Sequence, residues 1–436
     1  MKHLGLPRHV LLPLTLCSLA VLSGCSDDES TATPPVASPA ATASGARCVT
    51  DPPAPDVPAD SVPDVKGAYT VDGKDVAAPF RTPYEATAGD ESAVLVTGGG
   101  KLTTRDSSVT KKGDTSSLDA SAGQGLNAAL LAREGGQLAL SGGWFSTEGK
   151  GASAVSAAGE GARADLSASG ISAKGTSAHG VMASYGAELA LAYVEIDTAG
   201  AQAAPVATGP GGGRVTVHGG TMTSAGCGSP GVQTTGDVSV TGTLFDLANS
   251  EAFTVEPGGS LSLKDVRASA AAGGVVLRGD GAASFAMSGG SVQAAEGDLF
   301  SVQQATADVK LTGGAELTTK GGVLLRVRDE GAATFSADDE KLKGDVLVPD
   351  GSAVLDLSGS TTLDGTVTGA SMKLGAGTKW SVAGDSTLRG LELGPGVDVA
   401  DAIDGNGHKV TYDEESSPGL GGKTYRLSGG GTLKPA

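Results

Sequence analysis

The sequence predicts an all-β chain: a right-handed parallel β-helix solenoid of about eleven coils of 20–26 residues, with N- and C-terminal caps. Three observations carry that expectation. An apolar residue recurs at Leu140, Leu166, Leu191, Val217, Val240, Leu263, Met287, Leu311, Ala337, Leu357 and Val382, in steps of 20 to 26 residues. Such a period marks a solenoid, in which each repeat buries its apolar face only against its neighbours. Around each beat apolar residues alternate with small or polar ones, as in Leu138-Ala139-Leu140 and Val215-Thr216-Val217. That is the period of a strand with one buried face. Gly-Gly pairs such as Gly142-Gly143, Gly219-Gly220 and Gly289-Gly290 then interrupt the strands, because glycine reaches the positive φ that tight corners need.

Each repeat holds three short strands. Five residues after the beat comes a second apolar position (Phe145, Ile171, Ile196, Met222), and fifteen residues after it a third (Val155, Val181, Val206, Val232). Three strands per turn, stacked turn on turn, define a parallel β-helix. Leucine-rich repeats share the period, but their L-x-x-L-x-L-x-x-N signature is absent, and so is the Trp-Asp pair of a propeller blade. The 69 glycines and the lack of i, i+3, i+4 stripes exclude helical repeats. With coils about 4.8 Å apart, the rod is expected to be roughly 50 Å long or more. Open ends would expose unpaired strand edges, so caps are expected at residues 65–90, an aperiodic stretch with Pro79, Phe80 and Pro83, and at residues 383–436. Residues 91–382 form the helix between them.

The N-terminus predicts the location. Residues 1–24 have a basic start (Lys2, Arg8) and an apolar run from Val10 to Leu22, the pattern of a signal peptide and too short for a membrane span. The segment ends Leu22-Ser23-Gly24-Cys25. This closely resembles the bacterial lipobox, L-[AS]-[GA]-C. The resemblance implies recognition of Leu22, Ser23 and Gly24 by the signal peptidase and cleavage before Cys25. It also implies a diacylglycerol thioether on that sulfur and acylation of the new amine. Two or three acyl chains anchor stably where one does not. In lipoproteins of Gram-negative bacteria an Asp after the cysteine often signals inner-membrane retention. Ser26 stands there instead, which permits the outer membrane. Residues 25–64, rich in Ser, Thr, Ala and Pro, read as a disordered tether. The membrane is thus an expected partner, reached through the lipid, and the protein is expected in the bacterial cell envelope, extracytoplasmic, at the outer membrane or cell surface.

The formal charge of −18 repels nucleic acid and bare anionic membrane, so no nucleic-acid partner is expected. Aromatic residues make up only 3% of the chain. That argues against a broad sugar-stacking platform, and Trp144 and Trp380 are expected in core or cap packing. Of four cysteines, Cys17 goes with the leader and Cys25 carries the lipid. Cys48 and Cys227 either pair, tying the tether to the rod, or stand as two thiols.

Residues 378–394, T-K-W-S-V-A-G-D-S-T-L-R-G-L-E-L-G, resemble the last coils of pertactin-like autotransporter passengers, where W-x-V-x-G-x-S-x-x-x-x-L-x-L recurs. The segment Gly421–Leu433, with Tyr425-Arg426-Leu427-Ser428-Gly429-Gly430-Gly431, resembles the closing segment of those passengers. The resemblance covers about 60 residues by motif and implies a C-terminal cap that helps nucleate folding. It departs from the family in one large respect: no membrane barrel of roughly a dozen strands is expected after residue 436, and the lipid anchor at the other end is expected to replace it.

No catalytic residue, metal site or cofactor is expected. Asp338-Asp339 is a D-D pair of the kind polygalacturonase-like enzymes use, but no N-T-D, G-H-G or R-x-K accompanies it. Asp246, Asp265 and Arg267 fall near equivalent positions on adjoining coils, as calcium-dependent pectate lyases would need. His179, His218 and His408 are isolated, and the first two are expected to be exposed at coil corners. The tripeptide Arg278-Gly279-Asp280 follows a strand and is expected at an exposed corner, where it resembles an integrin-recognition loop. Three readings result. The first is a non-catalytic, adhesin-like binding protein recognising a host or matrix protein or a glycan. The second is a structural envelope spacer, which a smooth rod would favour. The third is a polysaccharide-cleaving enzyme, which a groove with stacked carboxylates and Arg or Lys would favour.

Overall fold

The structure is a computed structural model and describes residues 64–436. The expected leader, the lipobox-like Leu22, Ser23, Gly24 and Cys25, the expected tether and Cys48 lie outside the described residues.

The chain is a parallel β-solenoid of about 15 turns. In a representative coil the strand Gln137–Ser141 pairs in parallel with Lys101–Arg105 on one side and Arg163–Ser167 on the other. Trp144–Thr147 pairs with Ser108–Lys111 and Gly170–Ala173. Val155–Ala158 pairs with Leu130–Arg133 and Val181–Ser184. These three columns of strands are the three faces of the rod. Every second residue of each strand points inward, so register alone stacks like on like. Leu138, Ala164, Leu189 and Val215 form one interior column, and each is at most 2% exposed. Burying one such aliphatic side chain contributes about 1.5–3 kcal/mol, and it is available only because the coil on each side is present. Further along, Phe285 and Phe335 each meet Phe300 edge to face at 5.7 and 5.3 Å, a favoured aromatic geometry.

The solenoid is longer than the expected eleven coils because both presumed caps contain coils. Residues 65–90 were expected to be irregular. They instead form the strands Lys66–Asp72, Asp75–Ala77 and Pro83–Ala86, which pair in parallel with the next coil. Pro83 sits at the first position of its strand, where the lost N–H is tolerated. At the other end parallel stacking runs past residue 382, through Ser386–Leu393 and Lys409–Tyr412 to Thr432–Pro435. Only Tyr425–Arg426 runs antiparallel, against Thr432–Leu433. Trp380 fills this end completely buried, its indole N–H donating to Gly365 O at 2.9 Å. Tyr412 and Tyr425 donate their hydroxyls to the carbonyls of Lys423 and Leu420.

One corner is closed by a ladder of glycines. A Cβ on Gly149, Gly175, Gly200 or Gly226 would meet the carbonyl oxygen of the ladder glycine one coil earlier at 1.8, 1.9, 1.8 and 1.7 Å respectively. The chain bends so closely upon itself there that no side chain fits. The first step of that ladder, from Gly113 to Gly149, spans an insertion. Leu102 is 26 residues from its partner Val76 but 36 from its partner Leu138. The extra length forms a short helix, α1 (Leu118–Gln124), which lies outside the rod. Ser117 caps its N-terminus by accepting from Ala120 N–H, and Gly125 ends it at φ 71°. Capping serine and terminal left-handed glycine are the usual boundary signals. Beside the insertion Lys111 occupies an interior position and is fully buried. Its ammonium donates to the carbonyls of Ala88, Lys112 and Gly113, which is how a buried charge is tolerated, and burial pulls its pKa down.

Candidate functional site

α1 walls off a recess on the rod. It packs across the outer side of the third face: Ser184 donates its hydroxyl to Gly123 O, and Ala122 joins a small external apolar cluster with Met182, Ala204 and Ala207. Between α1 and the corner that precedes this face lies a cleft of about 540 Å³. Its wall is Leu118 and Ala122 of α1. Its floor is contributed by six successive coils, carrying in turn Ser153, His179, Gln202, Gln233, Glu251 and Arg278.

His179 is the exceptional residue. Exposure was expected for a histidine at a coil corner, and His218 is exposed, but His179 is only 9% exposed. Its Nδ1 accepts the backbone N–H of Ala204, one coil on, at 3.1 Å, and its own N–H donates to Ser153 Oγ, one coil back. An acceptor at Nδ1 places the proton of the neutral ring on Nε2. Among the described residues Nε2 has no hydrogen-bond partner, and the ring lines the cleft. Burial pushes the pKa down to about 4, because charging the ring in a low-dielectric corner is costly. The imidazole is therefore a neutral donor at physiological pH.

Three charged residues line the cleft, Asp119, Glu251 and Arg278, and none is free. Arg278 Nη2 lies 2.9 Å from Glu256 Oε1, and the Glu251 carboxylate accepts the hydroxyls of Ser250 and Thr254 at 3.0 and 2.9 Å. Arg278 belongs to the R-G-D tripeptide, which lies inside the strand Val275–Ser288 where its register shifts between Arg278 and Gly281. Both Arg278 and Asp280 are exposed, but Gly279 packs against Pro257, and the arginine is held by Glu256 rather than extended from a loop.

The other residues singled out in the sequence scatter. Asp246 and Arg267 sit on the outside of the second face and Asp265 at a corner with φ 52°, with no hydrogen bond or ion pair among the three. Asp338 and Asp339 hold a corner together: Asp338 accepts from Ser358 Oγ, and Asp339 accepts Ser360 N–H and Oγ–H. The Ser360 bonds hold the Asp339 carboxyl below its usual pKa. Trp144 is 53% exposed, against expectation, its ring lying over Gly170 of the next coil, and Tyr193, 75% exposed, lies likewise over Gly219. Both side chains point outward, and the missing Cβ one coil away lets each ring lie against the rod. Cys227 is disulfide-bonded; it is the only cysteine among the described residues, so its partner lies outside them. Among the described residues no group of three or more His, Cys, Asp or Glu could hold a metal ion.

The cleft was not anticipated. Ser117 and Gly125 mark the helix in the sequence, but nothing in the order of residues says that the helix folds back over coils that come later. No protein-family model matches the chain, and no curated protein matches it significantly. Fold and site together define the class: a parallel β-solenoid with a helix-walled side cleft.

Proposed function

We propose that the protein is a lipid-anchored, non-catalytic recognition protein of the bacterial envelope, adhesin-like in role, whose solenoid presents a ligand-binding surface away from the membrane. The observation that carries this reading is the cleft beneath α1. A spacer needs only a smooth rod, whereas this rod carries an insertion that walls off a polar recess, plus exposed rings at Trp144 and Tyr193. Concave sites with a few convergent polar groups are where ligands bind. The lipobox-like Leu22-Ser23-Gly24-Cys25 and the likeness of the last coils to autotransporter passengers support the envelope location.

Glu251 and Arg278, on adjoining coils of one cleft, favour a second reading, a polysaccharide-cleaving enzyme. Both readings are tested with the full-length protein in mild detergent on arrays of glycans and matrix proteins, followed by analysis of each bound glycan for chain shortening. Saturable binding with the glycan recovered intact supports recognition. Shortened chains overturn it in favour of the enzyme, and absence of binding to every probe overturns both. For the anchor, labelled palmitate should enter the native protein and not Cys25→Ser; equal labelling of the two would overturn lipidation at Cys25.

A further inference from the structure

The geometry points to the cleft beneath α1 as a binding site for an uncharged linear oligosaccharide, seated along the rod axis and read by the Nε2–H of His179 and the side-chain amide of Gln202. This rests on the recognition reading above and names the site and ligand class for it.

The polar groups left over in the cleft define the ligand. His179 Nε2, the Gln202 amide and the Ser177 hydroxyl line it without a side-chain partner, whereas Arg278 and Glu251 are occupied by Glu256, Ser250 and Thr254. What remains unsatisfied is neutral and mixes donors with acceptors, which is what hydroxyl groups match. An acidic polysaccharide would face a chain of net charge −18 with no free cation among the described residues of the cleft. An extended peptide is disfavoured because the floor is the face of a sheet and not an edge, so the backbone offers no strand to pair with. The apolar wall of Ala122 and Met182 suits the C–H face of a sugar ring. The cleft crosses six coils, on the order of 24 Å from first to last, with a repeat comparable to one sugar unit, so the site fits a linear chain of several units. The Nε2–H of His179 opens into the cleft and has no acceptor among the described residues, so a ligand hydroxyl can accept from it.

The test uses the full-length protein and a panel of neutral oligosaccharides of four to six units, read by calorimetry and by the 15N shift of the His179 ring. His179→Asn keeps an acceptor for Ala204 N–H and removes the Nε2 donor. Gln202→Ala alters an exposed side chain and leaves the core alone, so it carries the test if the first variant folds poorly. Tyr193→Ala, outside the cleft, is the control. We expect one oligosaccharide class to saturate the protein and move the Nε2 shift. Each cleft variant should weaken binding at least tenfold, and the control less than twofold. Binding that survives in both cleft variants overturns the site and leaves the recognition reading standing. Binding of matrix protein but of no neutral oligosaccharide overturns the ligand class alone. No binding of any probe overturns both.

Discussion

The backbone N–H of Ala204 donates to Nδ1 of His179 at 3.1 Å across the gap between two coils. The two residues are 25 positions apart, and the solenoid period makes them neighbours. The bond fixes the ring, sets its tautomer and turns Nε2 to the cleft. It also ties one coil of the cleft floor to the next through a side chain.

That burial makes stability depend on pH. The folded-state pKa of His179 is about 4, below the roughly 6.5 of an exposed histidine. Above the higher value the ring is neutral in both states. Between the two the unfolded chain takes up a proton that the folded chain refuses, so stability falls as pH drops from about 6.5 towards 4, by on the order of 3 kcal/mol in full. Hydrogen exchange of the coils around Val181 and Val206 should lose protection over this window in the native protein. His179→Asn should show a shallower loss, and an equal slope in both proteins would refute the assignment.

The glycine ladder predicts where small changes are not tolerated. Gly200→Ala places a methyl 1.8 Å from the carbonyl oxygen of Gly175, and the backbone must move to accept it. The expected cost is on the order of 3 kcal/mol, seen as a lower denaturation midpoint. Gly242→Ala is the contrast: it has nothing within 4 Å but lies at φ 63°, so torsion alone is charged, about 1 kcal/mol.

The two tryptophans should behave as opposites. Trp380→Ala empties a fully buried site and leaves Gly365 O without its donor, at a cost of about 3–5 kcal/mol. Trp144→Ala, on an exposed plate, should shift stability by less than about 0.5 kcal/mol. In Trp144→Phe the remaining emission should be blue-shifted and shielded from iodide. Ready quenching there would contradict the burial of Trp380.

The bridge at Cys227 assigns a chemical result. Non-reducing peptide mapping of the native protein should yield one linked pair joining the Cys227 peptide to that of Cys48, resolved by dithiothreitol. Recovery of a free Cys227 thiol from oxidised protein would overturn the bridge.

The sequence by itself determined the repeat, and through it the fold. Period-two alternation and the 20–26-residue beat state which residues face inward, and stacking in register follows because each apolar face needs a neighbour. Leu138, Ala164, Leu189 and Val215 are core in the structure for the reason visible in the chain. The end coils were hidden because the insertion before Leu138 lengthens one repeat to 36 residues and breaks the beat, and because Pro79 and Pro83 disguise a regular coil as irregular chain. Only the tertiary structure decided the site. His179 is held by Ser153 and Ala204, one coil to either side, and its cleft depends on α1, which ends 55 residues earlier at Gln124 and folds across later coils. Where the Trp144 ring rests depends on the missing side chain of Gly170. Periodicity reports which residues point into the rod; what covers its outside is settled by contacts between segments far apart in the chain, which no local pattern records.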